Sequence, residues 1–266
     1  MTDPLASIRC FLLDMDGTFY LGDHLVEGAL RFIDVVKVQG RDFIFLTNNS
    51  SKNSRLYAVK ISCLGLEIPE GKVFTSGEAT ARYLARTFPQ ARLYVVGTSS
   101  LEDEFRQHGF QLVEDQPDLV VLGFDTTLTY QKLWKLCDFV RAGLSYIATH
   151  PDYNCPTETG FMPDIGAMIA FVKASTNREP DQVIGKPNRI IIDELAQKLN
   201  LPINQLAMVG DRLYTDIALG KTTGITTVLV LSGETRLSDL DLSPYKPTCI
   251  FNNLGELAAH LACLEV

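Results

Sequence analysis

Short apolar runs alternate with segments of mixed polarity along most of the chain. The runs are CFLLD, FIFLT, LYVVG, LVVLGF, YIATH, LAMVGD and TVLVLSG. Their length and their branched and aromatic residues predict buried strands, and the segments between them predict helices. One segment, residues 129–141, has apolar side chains at helical spacing, with Thr129 placed to cap it and Gly143 to end it. This alternation predicts an α/β protein with a mainly parallel sheet.

Polar residues follow several of these runs directly, where a buried strand would leave the core. In open parallel sheets, ligands bind beyond the carboxyl ends of the strands. Residues two apart in an extended chain point the same way, so Asp14 and Asp16 can face one small volume. The polar residues that we expect to converge at this edge are Asp14, Asp16, Thr47, Asn48, Lys186 and Asp211.

Two carboxylates this close together need a cation, a shared proton or a chemical role. Transfer of a phosphoryl group to water would use every side chain in the set. Asp14 can act as the nucleophile, and Asp16 can protonate the leaving oxygen and later activate water. Lys186, Thr47 and the backbone of Asn48 can bind the phosphoryl oxygens.

A carboxylate can approach a phosphate dianion only if a cation compensates the charge, and Mg²⁺ prefers oxygen ligands. Asp14, Asp211 and the backbone carbonyl of Asp16 are the predicted ligands. Asp216, near the start of the next helix, is placed to support a metal-bound water. Gly17 allows the chain to turn close to the phosphate.

Four motifs, DMDGT, LTNNS, GKP and GDRLYTD, occur in this order and resemble those of the haloacid dehalogenase-like hydrolase superfamily. Within it, LDMDGTFYLG, TNNSS, ATHPD and VLVLSGE resemble the NagD-like branch (subfamily IIA), which has a large α/β cap. The resemblance spans essentially the whole chain and implies a Mg²⁺-dependent phosphatase. The residues that it implies are Asp14 and Asp16 for catalysis, Asp14, Asp16 and Asp211 for the metal, and Thr47, Asn48, Asn49 and Lys186 for phosphate.

The spacing of the motifs predicts how the domains are arranged. The interval from Thr47 to Lys186 is far longer than a loop, and it contains strands and helices of its own. We therefore expect a discontinuous Rossmann-like parallel-sheet hydrolase core, residues 1–81 and 181–266, with an α/β cap domain inserted at residues 82–180.

The resemblance also limits the reaction and the substrate. Superfamily members that transfer phosphate to water or alcohols carry an acid at the position of Asp16, which favours ester hydrolysis. A cap would exclude water and restrict substrates to small phosphorylated metabolites, such as sugar phosphates, nucleotides or p-nitrophenyl phosphate-type esters. The polar segment 152–162 is the candidate substrate-reading loop, and His150 is expected to shape the nearby strand end.

Composition argues against several partners and compartments. The chain of 266 residues has 24 basic and 32 acidic side chains, a net charge of −8, and no basic cluster that would bind nucleic acid. No apolar run approaches the roughly 20 residues of a membrane span, and the N-terminus lacks the apolar core of a signal peptide. The six cysteines are dispersed, as reduced thiols in a cytoplasmic protein would be.

Three matters stay open at this point. The caps of the NagD-like branch often support dimers, so a homodimer formed through the cap is an expectation. A receiver-like phosphoacceptor signalling protein is one alternative function, because receivers also gather acids, a Thr and a Lys around Mg²⁺. A non-catalytic metabolite-binding protein on the same fold is the other.

Overall fold

The computed structural model describes residues 3–157 and 160–264, and within them the chain divides into two compact units. The first unit comprises Met1–Thr47, Tyr57–Phe74 and Lys186–Val266, and the second comprises Asn48–Leu56 and Thr75–Gly185. The expected inserted domain, 82–180, lies inside the second unit. That unit also takes residues 48–56, 75–81 and 181–185, which the sequence interpretation gave to the core.

The strands are short and mostly buried. In chain order they are β1 (Cys10–Leu13), β2 (Tyr20–Leu21), β3 (His24–Leu25), β4 (Asp42–Thr47), β5 (Val73–Thr75), β6 (Arg92–Val96), β7 (Gln111–Leu112), β8 (Leu119–Leu122), β9 (Ser145–Ala148), β10 (Asn154–Thr157), β11 (Gly160–Pro163), β12 (Gln182–Val183), β13 (Leu206–Gly210), β14 (Thr226–Val230) and β15 (Cys249–Phe251). All seven apolar runs that predicted strands are strands.

The helices lie between these strands. In chain order they are α1 (Ala29–Val38), α2 (Ser54–Cys63), α3 (Ser76–Thr87), α4 (Ser99–Gln107), α5 (Tyr130–Arg141), α6 (Ile165–Thr176), α7 (Arg189–Leu199), α8 (Ala218–Thr223), α9 (Asp239–Leu242) and α10 (Leu254–Ala262). A π-helical turn, Leu213–Ile217, precedes α8. Among the described residues, no helix combines the length and the apolarity that crossing a membrane requires.

The first unit is built on a six-stranded sheet in the order β15-β14-β13-β1-β4-β5. Strand β1 is buried along its length and pairs in parallel with β13 on one side and β4 on the other. Its last residue, Leu13, lies opposite both Val209 and Phe45. The carboxyl ends of these three strands therefore reach the same edge of the sheet at the same level.

Aromatic side chains fill much of the core of this unit. Phe11 meets Phe32 of α1 edge to face, with ring centroids 5.5 Å apart, and Phe19 meets Phe45 in the same way at 4.7 Å. Fully burying one such side chain contributes about 1.5–3 kcal/mol. This packing holds β1 and β4, and hence the polar residues that follow them, in a fixed position.

The second unit has a five-stranded parallel sheet of its own, in the order β12-β9-β8-β6-β7. The helix predicted at residues 129–141 is α5, and the Thr129 hydroxyl accepts a hydrogen bond from the Lys132 backbone N–H at 3.3 Å, as predicted. The predicted loop 152–162 is mainly an antiparallel hairpin of β10 and β11. Glu158 and Thr159 lie outside the described residues.

Candidate active site

Asp14 is the first residue after β1, and the sheet fixes its backbone. Its N–H donates to the Val209 carbonyl of β13 at 2.9 Å, so the parallel pairing continues for one residue beyond the strand. The carboxylate is buried and accepts a hydrogen bond from the Lys186 ammonium at 2.6 Å. A buried carboxylate with a charged hydrogen-bond partner this close is held in one place.

Lys186 is the cation at the centre of the site. Its ammonium donates to Asp14 at 2.6 Å, to Asp216 at 2.7 Å and to the Leu46 carbonyl at 3.3 Å. Burial alone would lower the pKa of Lys186, but Asp14 and Asp216 reverse this effect and raise it. Lys186 is therefore a fixed positive charge between the ends of β1 and β4 and the π-helical turn that contains Asp216.

Asp211 and Asp216 complete a buried acidic cluster with Asp14. Burial raises the pKa of Asp211 to about 7, and repulsion from Asp14 and Asp216 adds to the effect. Burial likewise raises the pKa of Asp216 to about 6, although Lys186 lowers it. The backbone N–H of Glu234 donates to Asp211 at 2.7 Å. Burial is the larger cause of both shifts, and repulsion among the neighbouring acids adds to it.

The cluster suits a hard divalent cation. One carboxylate oxygen from each of Asp14, Asp211 and Asp216 lies within 4.8 Å of the others, among the residues that the structure describes. Oxygen donors of this kind match Mg²⁺ or Ca²⁺ rather than a thiolate-preferring metal. Asp216, expected in a supporting role, thus joins the cluster, whereas the Asp16 side chain is not part of it. Ligation through the Asp16 backbone carbonyl stays a prediction.

Asp16 lies in the turn that follows Asp14, and its side chain is exposed. Although the residue is exposed, the protein around its carboxyl group removes part of the surrounding water, which raises the pKa of Asp16, while the charge of Lys60 opposes the rise and that of Asp14 adds to it. Gly17 makes the turn possible with a φ of +84°. A Cβ atom at position 17 would lie 2.4 Å from a carboxylate oxygen of Asp211.

Several residues around the cluster were not predicted. The Thr18 hydroxyl donates to Asp211 at 3.3 Å, and the Ser232 hydroxyl donates to the Gly17 carbonyl at 2.8 Å. A Cβ at Gly233 would lie 2.0 Å from an Asp211 oxygen. Ser232 and Gly233 end the run TVLVLSG and Glu234 follows it, so the same strand-end reasoning that found Asp211 would have found them.

Arg212 lies beside the acids. Burial alone would lower its pKa, but Asp14 and Asp211 raise it overall. Its Nε atom is 3.2 Å from a carboxylate oxygen of Glu234, which also accepts a hydrogen bond from the Tyr214 hydroxyl at 3.2 Å. The guanidinium therefore adds positive charge next to the cluster without replacing Lys186 in it.

The predicted phosphate-binding residues divide between the two units. Thr47 is the buried last residue of β4 in the first unit. Asn48 and Asn49 begin the second unit, where the Asn48 amide donates to both oxygens of Asp152, at 3.1 and 3.2 Å. Phosphate binding by these three residues stays a prediction.

His150 is fully buried in the second unit. Its Nε2 is 3.0 Å from Asp164, and its Nδ1 is 3.2 Å from the Thr149 hydroxyl. Asp164 also caps α6 by accepting from the Ile165 N–H at 2.7 Å. The expectation that His150 shapes the end of β9 therefore agrees with its contacts.

Comparison with known proteins identifies the family. The family described as haloacid dehalogenase-like hydrolase matches residues 11–111, and a second one, described as HAD-hydrolase-like, matches residues 183–257. The chain is 37% identical to the acid sugar phosphatase of Staphylococcus aureus over 254 residues, 95% of this chain and 98% of that protein.

Solved structures agree. The 4-nitrophenylphosphatase of Thermotoga maritima superimposes with a TM-score of 0.94 at 47% identity, over 97% of this chain and 99% of that one. NagD from E. coli K-12 superimposes with a TM-score of 0.87 at 32% identity, over 94% and 98%. The chain belongs to the haloacid dehalogenase-like hydrolases, which confirms the predicted NagD-like resemblance, the Rossmann-like α/β fold and the enzyme class, a phosphoric monoester hydrolase.

Proposed function

We propose that this enzyme is a Mg²⁺-dependent phosphatase that hydrolyses small phosphorylated metabolites through an aspartyl-phosphate on Asp14. The observation that carries the proposal is the Asp14 carboxylate at the end of β1, held 2.6 Å from the buried Lys186 ammonium. Lys186 holds the Asp14 carboxylate in place, and its positive charge attracts the phosphoryl group to the nucleophile.

In the first half-reaction an Asp14 oxygen attacks phosphorus, and the bond from phosphorus to the leaving oxygen breaks. Asp16 gives its proton to that oxygen, so the alcohol leaves neutral. The influences that raise the pKa of Asp16 support this role, because they favour a proton on it before the reaction. Thr47, Asn48 and Asn49 are proposed to donate hydrogen bonds to the phosphoryl oxygens.

In the second half-reaction Asp16, now ionised, removes a proton from water as the water attacks phosphorus. The bond between phosphorus and the Asp14 oxygen breaks, inorganic phosphate leaves, and Asp14 is an ionised carboxylate again. Lys186 remains paired with Asp216 throughout, so the buried ammonium keeps a partner while Asp14 is phosphorylated.

Asp14, Asp211 and the Asp16 carbonyl are proposed to hold Mg²⁺, with Asp216 close by. When bound, the ion supplies positive charge that offsets the phosphate dianion and the three carboxylates. The fit rests on the oxygen donors of the cluster and on the repulsion among its carboxylates, which adds to the burial that raises the pKa values of Asp211 and Asp216.

The substrates proposed are small phosphate esters. Two of the similar proteins are named acid sugar phosphatase and 4-nitrophenylphosphatase. We infer the same range here: sugar phosphates, nucleotides and p-nitrophenyl phosphate-type esters. The second unit is proposed to act as the cap that selects among them, and dimerisation through the cap and a cytoplasmic location stay predictions.

The metal assignment is tested with Asp211→Asn. Phosphate release is measured on the chelator-treated enzyme during Mg²⁺ titration, with p-nitrophenyl phosphate and a panel of sugar phosphates, nucleotides and glycerol phosphate. The variant should need at least about tenfold more Mg²⁺, because it loses one charged ligand, and activity should recover in part at saturation. Asp34→Asn, an exposed acid on α1, is the matched control.

An unchanged Mg²⁺ requirement in Asp211→Asn would contradict the metal site. Absence of phosphate release from the wild type on the whole panel would favour a non-catalytic binding protein. A phosphorylated enzyme that persists for minutes would favour a receiver-like function.

A further inference from the structure

The turn after β1 returns Tyr20 to the side of Asp16. Asp16 and Tyr20 form an isolated backbone bridge, and the Gly17 N–H donates to the Tyr20 carbonyl at 2.8 Å. The Tyr20 N–H in turn donates to the Met15 carbonyl at 3.1 Å. Backbone contacts therefore hold Tyr20 next to Asp16 independently of the Tyr20 side chain.

The Tyr20 side chain is fully buried, and its hydroxyl has no hydrogen-bond partner of acceptable geometry among the described residues. A buried hydroxyl without a partner is costly, so its presence calls for a reason. The Asp16 carboxylate acts on this hydroxyl: burial raises the pKa of Tyr20, and the charge of Asp16 adds to the rise.

A cation lies on the ring of the same tyrosine. The Lys60 ammonium, on α2, is 4.0 Å from the centroid of the Tyr20 ring. A cation on the face of a phenol is attracted to the ring and makes its hydroxyl a stronger donor. Tyr57, one helical turn earlier, is buried and also influences Tyr20, so this face of α2 packs towards the ring.

We propose that Tyr20, supported by Lys60, is a positioning residue for Asp16. The Tyr20 hydroxyl donates to one oxygen of the carboxyl group, which leaves the other oxygen to carry the proton to the leaving group. Neither Tyr20 nor Lys60 needs to touch substrate for this role. The inference rests on the proposed function, because it assumes that Asp16 is the proton donor.

Leaving-group dependence separates this role from a structural one. An alkoxide needs the proton from Asp16, whereas p-nitrophenolate departs readily as an anion. Tyr20→Phe removes only the hydroxyl, and we expect it to lower kcat/KM about tenfold or more on the best alkyl phosphate of the panel. This is a part of the roughly 10²–10⁴-fold that general acid catalysis contributes. On p-nitrophenyl phosphate we expect kcat/KM to change less than threefold, and the melting temperature should not fall.

Tyr146→Phe is the matched control, because Tyr146 is the other tyrosine whose buried hydroxyl lacks a partner among the described residues. It should leave both substrates unaffected. In the Asp16→Asn background, Tyr20→Phe should cause no further loss, because the group that it positions has gone. Lys60→Met should show the same leaving-group dependence as Tyr20→Phe, with a smaller loss of kcat/KM. Lys60→Arg, which keeps the positive charge, should retain the wild-type kcat/KM on both substrates.

The outcomes are distinguishable. If Asp16→Asn loses more on the alkyl phosphate but Tyr20→Phe loses equally on both substrates or on neither, the positioning role is wrong and the proposed function stands. If Asp16→Asn itself shows no leaving-group dependence, Asp16 is not the proton donor, and both the acid assignment and the positioning role fail. If Lys60→Met matches the wild type on both substrates, the part assigned to Lys60 is wrong.

Discussion

Glycines decide how closely the backbone approaches the acids of this site. A Cβ at Gly17, Gly210 or Gly233 would come within 2.0 to 2.4 Å of a side-chain atom of Asp211 or Asp216. Only a residue without a side chain leaves room for a carboxylate at such positions. The acidic cluster therefore depends on these glycines as much as on the acids themselves.

Gly17→Ala tests this dependence. The new Cβ would clash with Asp211 and would occupy a backbone conformation, φ +84°, that alanine adopts poorly. We expect a loss of unfolding free energy of about 1–3 kcal/mol and a weakened response to Mg²⁺. Thermal unfolding and a Mg²⁺ titration of activity measure the two effects.

Gly22→Ala provides the control, since Gly22 also has a positive φ, +60°, but nothing lies within 4 Å of its Cβ position. It should show the backbone cost and keep the wild-type Mg²⁺ response. Equal Mg²⁺ responses in the two variants would mean that the contact with Asp211 does not matter.

At residue level, the sequence predicted those site residues that lie directly at the end of an apolar run. Asp14 and Asp211 follow apolar runs directly, and the structure brings them together with Lys186. The membership of Asp216 was harder to foresee, because it depends on the π-helical turn Leu213–Ile217, in which Asp216 accepts a hydrogen bond from the Arg212 N–H at 3.1 Å. No residue pattern in the sequence signals that extra-wide turn.

At the scale of elements, strands that are buried along four or more residues were predictable, and shorter ones were not. The two-residue strands β7 and β12 are too short to show any periodicity. The hairpin of β10 and β11 was expected as a loop because its sequence is polar and its residues are largely exposed. A half-exposed two-stranded ribbon carries little hydrophobic signal.

That hairpin carries the element-scale prediction. Phe161 of β11 is 75% exposed, which is a large apolar surface for a residue with no packing role. If the hairpin reads the leaving group, Phe161→Ala should change the order of preference among the alkyl phosphates of the panel, with severalfold changes in KM. It should spare p-nitrophenyl phosphate and the melting temperature.

Leu242→Ala, at a 93% exposed position of the first unit, is the control and should leave the preference order intact. A uniform loss on every substrate in Phe161→Ala would point to damaged folding, and wild-type preferences would remove the hairpin from substrate selection.

At the scale of the whole molecule, the spacing of the motifs predicts an inserted domain at residues 82–180, whereas the second compact unit also includes residues 48–56, 75–81 and 181–185. Residues 48–56 belong to the second unit because their side chains bond there. The Ser50 hydroxyl lies 2.9 Å from that of Thr149 and accepts from the Phe124 N–H at 2.9 Å, and the Thr98 hydroxyl donates to the Ser51 carbonyl at 2.7 Å. Such long-range bonds between small polar residues leave no trace in composition or periodicity.

The charge cluster gives the metal-free molecule a characteristic pH dependence. An unperturbed Asp has a pKa of about 3.9, whereas in the folded protein burial and neighbouring acids raise Asp211 to a pKa of about 7 and Asp216 to about 6. At pH values between the pKa of about 3.9 in the unfolded state and those of about 6 and 7 in the folded state, the folded state binds more protons than the unfolded state. The stability from this source is full at low pH and is lost as the pH rises through about 6–7.

We therefore expect the chelator-treated enzyme to be less stable near pH 8 than near pH 5.5, by on the order of 1–3 kcal/mol from this source. Asp211→Asn should flatten that part of the dependence. Added Mg²⁺ should stabilise the wild type more near pH 8 than near pH 5.5, because it competes with protons for the carboxylates. Denaturant unfolding at both pH values measures the free energy of unfolding. If it depends on pH in the same way in the wild type and in Asp211→Asn, the protonation of Asp211 does not contribute to stability as we expect.

The central claim is that Asp14 carries the phosphoryl group, and trapping that group tests it most directly. In Asp16→Asn, p-nitrophenyl phosphate should still phosphorylate Asp14, because its leaving group needs little protonation, while hydrolysis of the intermediate loses its base. After acid quench and digestion, mass spectrometry should find one phosphoryl group on the peptide that contains Asp14, and borohydride should reduce that residue to homoserine. Release of p-nitrophenol and phosphate with no phosphoryl group on that peptide at any quench time would contradict the account.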